Sequence, residues 1–340
     1  MGGEDEFIGY EFEATEAWKR RDYDLAIAVA TKGAEAALNA GFIEGAGRLL
    51  LLQVRGLFDA GRYGEILGIV EKLLGMPLAG TATAFQAKKY KALVLQTSGR
   101  MEEAVAVARQ TIAEIPSGPD NGQQSMDLHW VLIAVLAESG RLDEAWDASL
   151  DLAGIASATG DSEAAGKSFW TIGNVAFMTG RMEEAERFHG LAGEKLSKHR
   201  DVNGWALFNK ASANMRLHAG LVNDETLDCI ERAELAISVT GGSPRDALEV
   251  SLLRAHWELL TGEVEVGLER LGSLPLDANS SRLIAAEVSY LRALGFGKLG
   301  DRPRTAELAA LAAELFREAG AETQLAKAQE LLDRATEGNS

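Results

Sequence analysis

Residues 171–185 read TIGNVAFMTGRMEEA, and two earlier stretches, KALVLQTSGRMEEA at 91–104 and LIAVLAESGRLDEA at 132–145, share its frame. In each, apolar residues at helical spacing run up to a small residue and a glycine, and an acidic pair and an alanine follow. The glycine predicts a helix end, because a residue without Cβ enters the left-handed C-cap conformation without strain. The acids suit the positive start of a second helix. Each copy therefore reads as helix, tight turn and antiparallel helix.

The frame extends in both directions. AGRYGEI at 60–66 is a further copy, and AGLVNDE at 219–225, TGEVEVG at 261–267 and LGDRPRT at 299–305 are weaker ones. RRDYDLA at 20–26 fits with Arg21 in the glycine's place. The turn positions are then 21, 61, 99, 140, 180, 220, 262 and 300, which gives a steady period of about 40 residues. Five residues after the turn stands Ala26, Ala104, Ala145 or Ala185; seven before it stands Ala14, Ala92, Gly173, Ala213, Ala255 or Ala293, with Val54 and Ile133 as exceptions. Small residues at matched places let paired helix backbones approach closely. Nothing alternates with period two over a strand length. TGGSPRDA at 240–247 predicts Ser243 as an N-cap, Pro244 as the first helical residue and Asp246 at capping-box distance. SGPDNG at 117–122 reads as a loop, and GSLPLDANSS at 272–281 as a second loop that shortens the preceding helix.

These small–glycine–alanine elements resemble the tetratricopeptide repeat family, with a period longer than its usual length. FREAGAETQLAKAQELLDRA at 316–335 is similar to the closing helix of the sensor arrays in maltose-regulator-type bacterial transcription activators. The fold expected is all-α: a right-handed α-solenoid of about eight helix pairs over 1–320, with a capping helix and tail at 321–340. The resemblance implies a scaffold that binds a peptide or protein segment in a concave groove, in bacterial regulation or complex assembly. The alternative it implies is a ligand-sensing domain of a transcription-regulatory system.

Motifs that suggest other chemistry fail on spacing. GDSEAAGKS at 160–168 looks like a phosphate loop, but five residues separate its first two glycines where four are needed, and a helix precedes it in place of a strand. In the repeat frame Gly160 ends one helix, Asp161 or Ser162 caps the next, and Lys167 and Ser168 lie inside it. GGEDEF at 2–7 resembles the diguanylate cyclase signature but carries an extra residue, and reads as a disordered acidic lead-in. NSS at 279–281 is a glycosylation sequon without use in the cytoplasm. The histidines, 129, 189, 199, 218 and 256, form no i, i+4 pair around a carboxylate, so neither metal nor cofactor is expected, with a metal-binding cluster across helices the alternative left open. No serine sits in a nucleophile elbow, and Cys229 reads as a small core hydrophobe. The chain reads as a binding protein, not an enzyme.

Composition agrees. With 46% hydrophobic residues the chain has ample core, yet no apolar run is long enough to span a membrane. No export leader is legible, and a single cysteine excludes an internal disulfide, so the cytoplasm is the expected compartment. A net charge of −17 argues against direct nucleic-acid binding, which depends on phosphate neutralisation. Exposed ends of a solenoid leave homo-oligomerisation open.

In the resembled family the first helix of each repeat lines the groove. The inward stripe is expected about 13, 10, 6 and 3 residues before the turn. That selects Lys167, Trp170, Asn174 and Phe177 in the fifth repeat, and Leu207, Lys210, Asn214 and Leu217 in the sixth. An asparagine amide both donates and accepts, so Asn174 and Asn214 are suited to the backbone of an extended peptide. Arg48, Arg55, Lys89, Trp130, His256 and Tyr290 continue the stripe and make it less negative than the outer wall. KASAN at 210–214 also resembles half of a carboxylate clamp, but Leu253, Glu249 and Glu287 stand where the rest is needed. A second reading stays open: Trp130 and Trp170 wedge between repeats, and Asn174 caps a neighbouring helix.

Overall fold

The computed structural model describes the chain apart from residues 1–3, 117, 119, 120, 197–200, 242, 276–281 and 338–340, and apart from the side chains of residues 4–6. The sequon at 279–281 lies outside the described residues. Contacts divide the chain into two compact units, 1–195 and 196–340. The N-terminal unit holds α1 (Glu4–Lys19), α2 (Tyr23–Asn39), α3 (Ile43–Asp59), α4 (Ile66–Leu74), α5 (Ala82–Thr97), α6 (Met101–Glu114), α7 (Gly122–Glu138), α8 (Leu142–Ala158), α9 (Ser162–Met178) and α10 (Met182–Lys195). The C-terminal unit holds α11 (Val202–His218), α12 (Asp224–Thr240), α13 (Pro244–Thr261), α14 (Val264–Gly272), α15 (Arg282–Lys298), α16 (Arg302–Glu318) and α17 (Glu322–Thr336). No strand occurs among the described residues. The chain is an all-α protein of helical repeats.

Every turn position has a left-handed backbone, with φ between 61° at Arg21 and 97° at Gly262. The reason is a recurring pair of hydrogen bonds. At Gly140 the amide of Arg141 donates to the Leu136 carbonyl at 2.9 Å, and that of Gly140 to Ala137 at 3.1 Å. This pattern satisfies carbonyls that the helix end would otherwise leave bare. The first of these bonds recurs at all eight turns, for example from Asp22 to Ala17, Arg181 to Ala176 and Asp301 to Phe296. Arginine after the glycine has its own use: Arg62, Arg100 and Arg141 each reach the glutamate three residues on, at 2.7 Å. Arg141 and then Arg109 hold the Glu144 carboxyl down to about 2. These braces are exposed and shape the turn more than they stabilise it.

Packing follows the small positions. Ala14, Val54, Ala92, Ile133, Ala213, Ala255 and Ala293, seven residues before the turns, are all at most 1% exposed, and so are Ala104, Ala145 and Ala185 after them. Within each unit, consecutive helices pack on one another. Odd-numbered helices also touch the next odd-numbered helix: α1, α3, α5, α7 and α9 in series in one unit, and α11, α13, α15 and α17 in the other. They form one layer within each unit, with even-numbered helices behind. α17 packs on α15 and α16 through Ala328 and Phe316.

Local expectations mostly hold at α13, where Ser243 and Asp246 form a capping box with Pro244 in the first turn, and at α14, which is only 9 residues long. Two are corrected. The acidic N-terminus is helical from Glu4, because Phe7 is buried and stacks on Phe42 at 5.5 Å. Gly160 does not cap α8; Thr159 does, with extended backbone, and Asp161 opens α9 by accepting from the amides of Glu163 and Ala164.

Candidate functional site

The layer of odd-numbered helices carries a cavity in each unit. In the C-terminal unit a cavity of about 270 Å³ is lined from α11 by Lys210, Asn214 and His218, spaced four apart and so on one face. α13 contributes Glu249, Leu252 and Leu253, α15 contributes Leu283, Ile284 and Glu287, and Gln324 comes from α17. Lys210 Nζ lies 3.0 Å from Asp246 and 2.5 Å from Glu249, and Arg245 also reaches Glu249 at 2.8 Å. Burial pulls the Lys210 ammonium down, but hydrogen bonds to Glu249 and Asp246 outweigh it and its pKa is raised. Lys210 is thus neutralised, as half of a carboxylate clamp would not be. Asn214 is exposed, and its side chain makes no hydrogen bond among the described residues. His218 Nε2 lies 3.3 Å from Glu287 Oε1. His256, 5% exposed, sits edge-on to His218 at 5.2 Å. Burial, then the charges of His218 and Lys327, push it down to about 3.

In the N-terminal unit a cavity of about 520 Å³ lies between α1, α3 and α5, lined by Glu11, Arg48, Arg55, Gln86, Lys89 and Tyr90 among others. Arg48 pairs with Glu11 at 2.8 Å. Lys89 donates to Asp127 at 2.8 Å, beside Gln86 and Gln123, which share the same carboxylate. Arg55 stacks on the Trp18 ring at 3.4 Å, while Trp18 Nε1 donates to Asp59. Arg55 makes no ion pair among the described residues. Burial raises the Tyr90 phenol to about 12. With Arg48 paired to Glu11 and Lys89 to Asp127, Arg55 is the lining's cation without an ion pair among the described residues.

The remaining sequence-selected residues sit elsewhere. Lys167 is exposed and bonds Glu163 at 2.6 Å within α9. Trp170 is half-buried. Asn174 Oδ1 lies 3.1 Å from His189 Nε2, tying α9 to α10. Trp130 Nε1 donates to Ser168 Oγ at 3.2 Å, bridging α7 and α9 as a wedge between repeats does. Tyr290 is half-buried with its ring edge-on to Phe316. Phe177 and Leu217 are buried, at 8% and 2% exposure.

At about 100° per residue, seven residues return a side chain to within about 20°, so Leu217 shares the direction of Lys210 and Phe177 that of Trp170, yet packing buries both. His218 lines the cavity one residue beyond the expected stripe, and Gln324 lies outside the repeat frame.

No family model matches the sequence, and no curated protein matches it either. Among solved structures, the apo form of RapI aligns over 97% of this chain and 99% of its own, at 12% identity and a TM-score of 0.53. A Rap protein complexed with competence and sporulation factor aligns over 98% of both chains at 10% identity and a TM-score of 0.40. The tetratricopeptide domain of P58(IPK) covers 97% of this chain at 10% identity and a TM-score of 0.28. The likeness to RapI is one of fold, an all-α array of helical repeats.

Proposed function

We propose that this chain is a non-catalytic helical-repeat scaffold that binds a peptide or protein segment along the faces of its odd-numbered helices. The observation that carries the reading is Asn214: an exposed amide on the cavity wall with no partner among the described residues, set between a neutralised lysine and apolar Leu252 and Leu253. Such an amide can hold peptide backbone of any sequence, and the leucines add area for apolar side chains. Arg55 offers the N-terminal unit's cavity a cation for acidic residues of a segment bound there. The cytoplasmic, regulatory setting belongs to this reading and rests on cysteine usage and on the resemblance to activator sensor arrays.

A random-peptide phage library panned on the full chain tests it. Enriched peptides should bind Asn214→Ala at least about tenfold weaker, the scale of one lost buried hydrogen bond to a charged or polar group, with far-UV circular dichroism unchanged. Failure to enrich any peptide, or indifference of the enriched peptides to Asn214→Ala and Arg55→Ala, would overturn the assignment.

A further inference from the structure

We propose that His218, His256 and Glu287 form a site for one divalent transition-metal ion of the zinc type. The three come from α11, α13 and α15, and one ligand atom from each lies within 4.8 Å of the other two. Tetrahedral zinc, with bonds near 2.0–2.1 Å, needs ligand atoms about 3.4 Å apart. The His218 Nε2 to Glu287 Oε1 separation of 3.3 Å already meets that. The remaining atom has less than about 1.5 Å to close, within reach of a side-chain rotation.

The surroundings select the metal. Two imidazoles and one carboxylate suit zinc, nickel or copper, whereas calcium and magnesium need more oxygen donors than the cluster has. Neither ring nitrogen of His256 makes a hydrogen bond among the described residues, so coordination displaces nothing there. Lys327 works against the ion: its ammonium is held by the His218 carbonyl at 2.9 Å, beside the cluster. His218 and Glu287 both line the cavity, so a fourth position on the ion would open into it for water or for a carboxylate or carbonyl group. The repeat explains how distant residues meet: they stand on the first helices of three successive repeats, those that turn at 220, 262 and 300.

The test uses the full chain, free of affinity tags, stripped with chelator and titrated with zinc by calorimetry and with cobalt by visible absorption. No peptide is present, so the result is independent of the proposed groove function. One ion per chain is expected, with the absorption bands of tetrahedral cobalt. His218→Ala and Glu287→Gln, both at partly exposed positions, should each weaken binding at least about a hundredfold, since loss of a ligand costs no less than loss of a supporting group. Lys327→Gln, which removes the opposing charge and keeps a donor, should tighten it. Absence of saturable binding, or equal binding by the wild type and by the His218→Ala/Glu287→Gln double variant, would overturn the proposal.

Discussion

Replacing Gly173 by alanine should destabilise the N-terminal unit even though alanine is the better helix former. In an unobstructed helix the change would add about 0.5–1 kcal/mol of stability. At Gly173 the new methyl would stand 2.1 Å from Cδ2 and 2.8 Å from Nε2 of His189. That ring cannot simply swing away. It is 3% exposed, lies 3.1 Å from Asn174 Oδ1, and meets Phe177 edge-on at 5.0 Å. Overpacking costs about 1–3 kcal/mol, and a broken hydrogen bond about 0.5–1.5 kcal/mol. The expected net loss is about 1–3 kcal/mol, the propensity gain included. Gly190→Ala is the control: Gly190 is an exposed helical glycine with nothing within 4 Å of its added Cβ, so it should gain about 0.5–1 kcal/mol. Urea unfolding followed by circular dichroism compares the two. Hydrogen exchange in α9 and α10 localises the effect, which matters because repeat arrays need not unfold in one step. In a His189→Ala background the penalty of Gly173→Ala should disappear. A Gly173→Ala protein as stable as the wild type would refute the packing argument.

Three further outcomes follow from single residues. Arg21 occupies the left-handed turn position that glycine holds in the other repeats, so Arg21→Gly should raise stability by up to about 1 kcal/mol in the same unfolding assay, and Gly140→Ala should lower it by about 1–2 kcal/mol. Cys229 is 1% exposed, and burial pushes its thiol up to about 11, so at pH 8 the native protein should react with a thiol reagent at least about a hundredfold more slowly than the urea-unfolded chain.

The helical-repeat fold was legible because its causes are local. A left-handed turn needs glycine, or in one case a strained arginine; a close helix crossing needs alanine; a helix start accepts acids. Each requirement is written into one residue type and recurs at a fixed period, so turns, pairing and the short α14 could be read without coordinates. Asn214 and Lys210 were legible on the cavity wall for the same reason, since the helix period projects them from the turn. The period by itself does not show burial: Phe177 and Leu217 share the direction of Trp170 and Lys210 on their helices, but packing buries them.

What the tertiary structure alone decided is the state of each side chain. Nothing local to Asn174 says that His189 takes its amide, or that Asp246 and Glu249 neutralise Lys210 while Arg55 stacks on Trp18 with no carboxylate of its own among the described residues. The cluster of His218, His256 and Glu287 is the sharpest case, because its members lie far apart along the chain and share no position in the repeat. Their meeting depends on how far each helix slides against the next, a product of side-chain packing across three repeats. Local sequence determined which residues could turn, cap and cross; the packed layer decided which side chains pair, which are buried and which line the cavities.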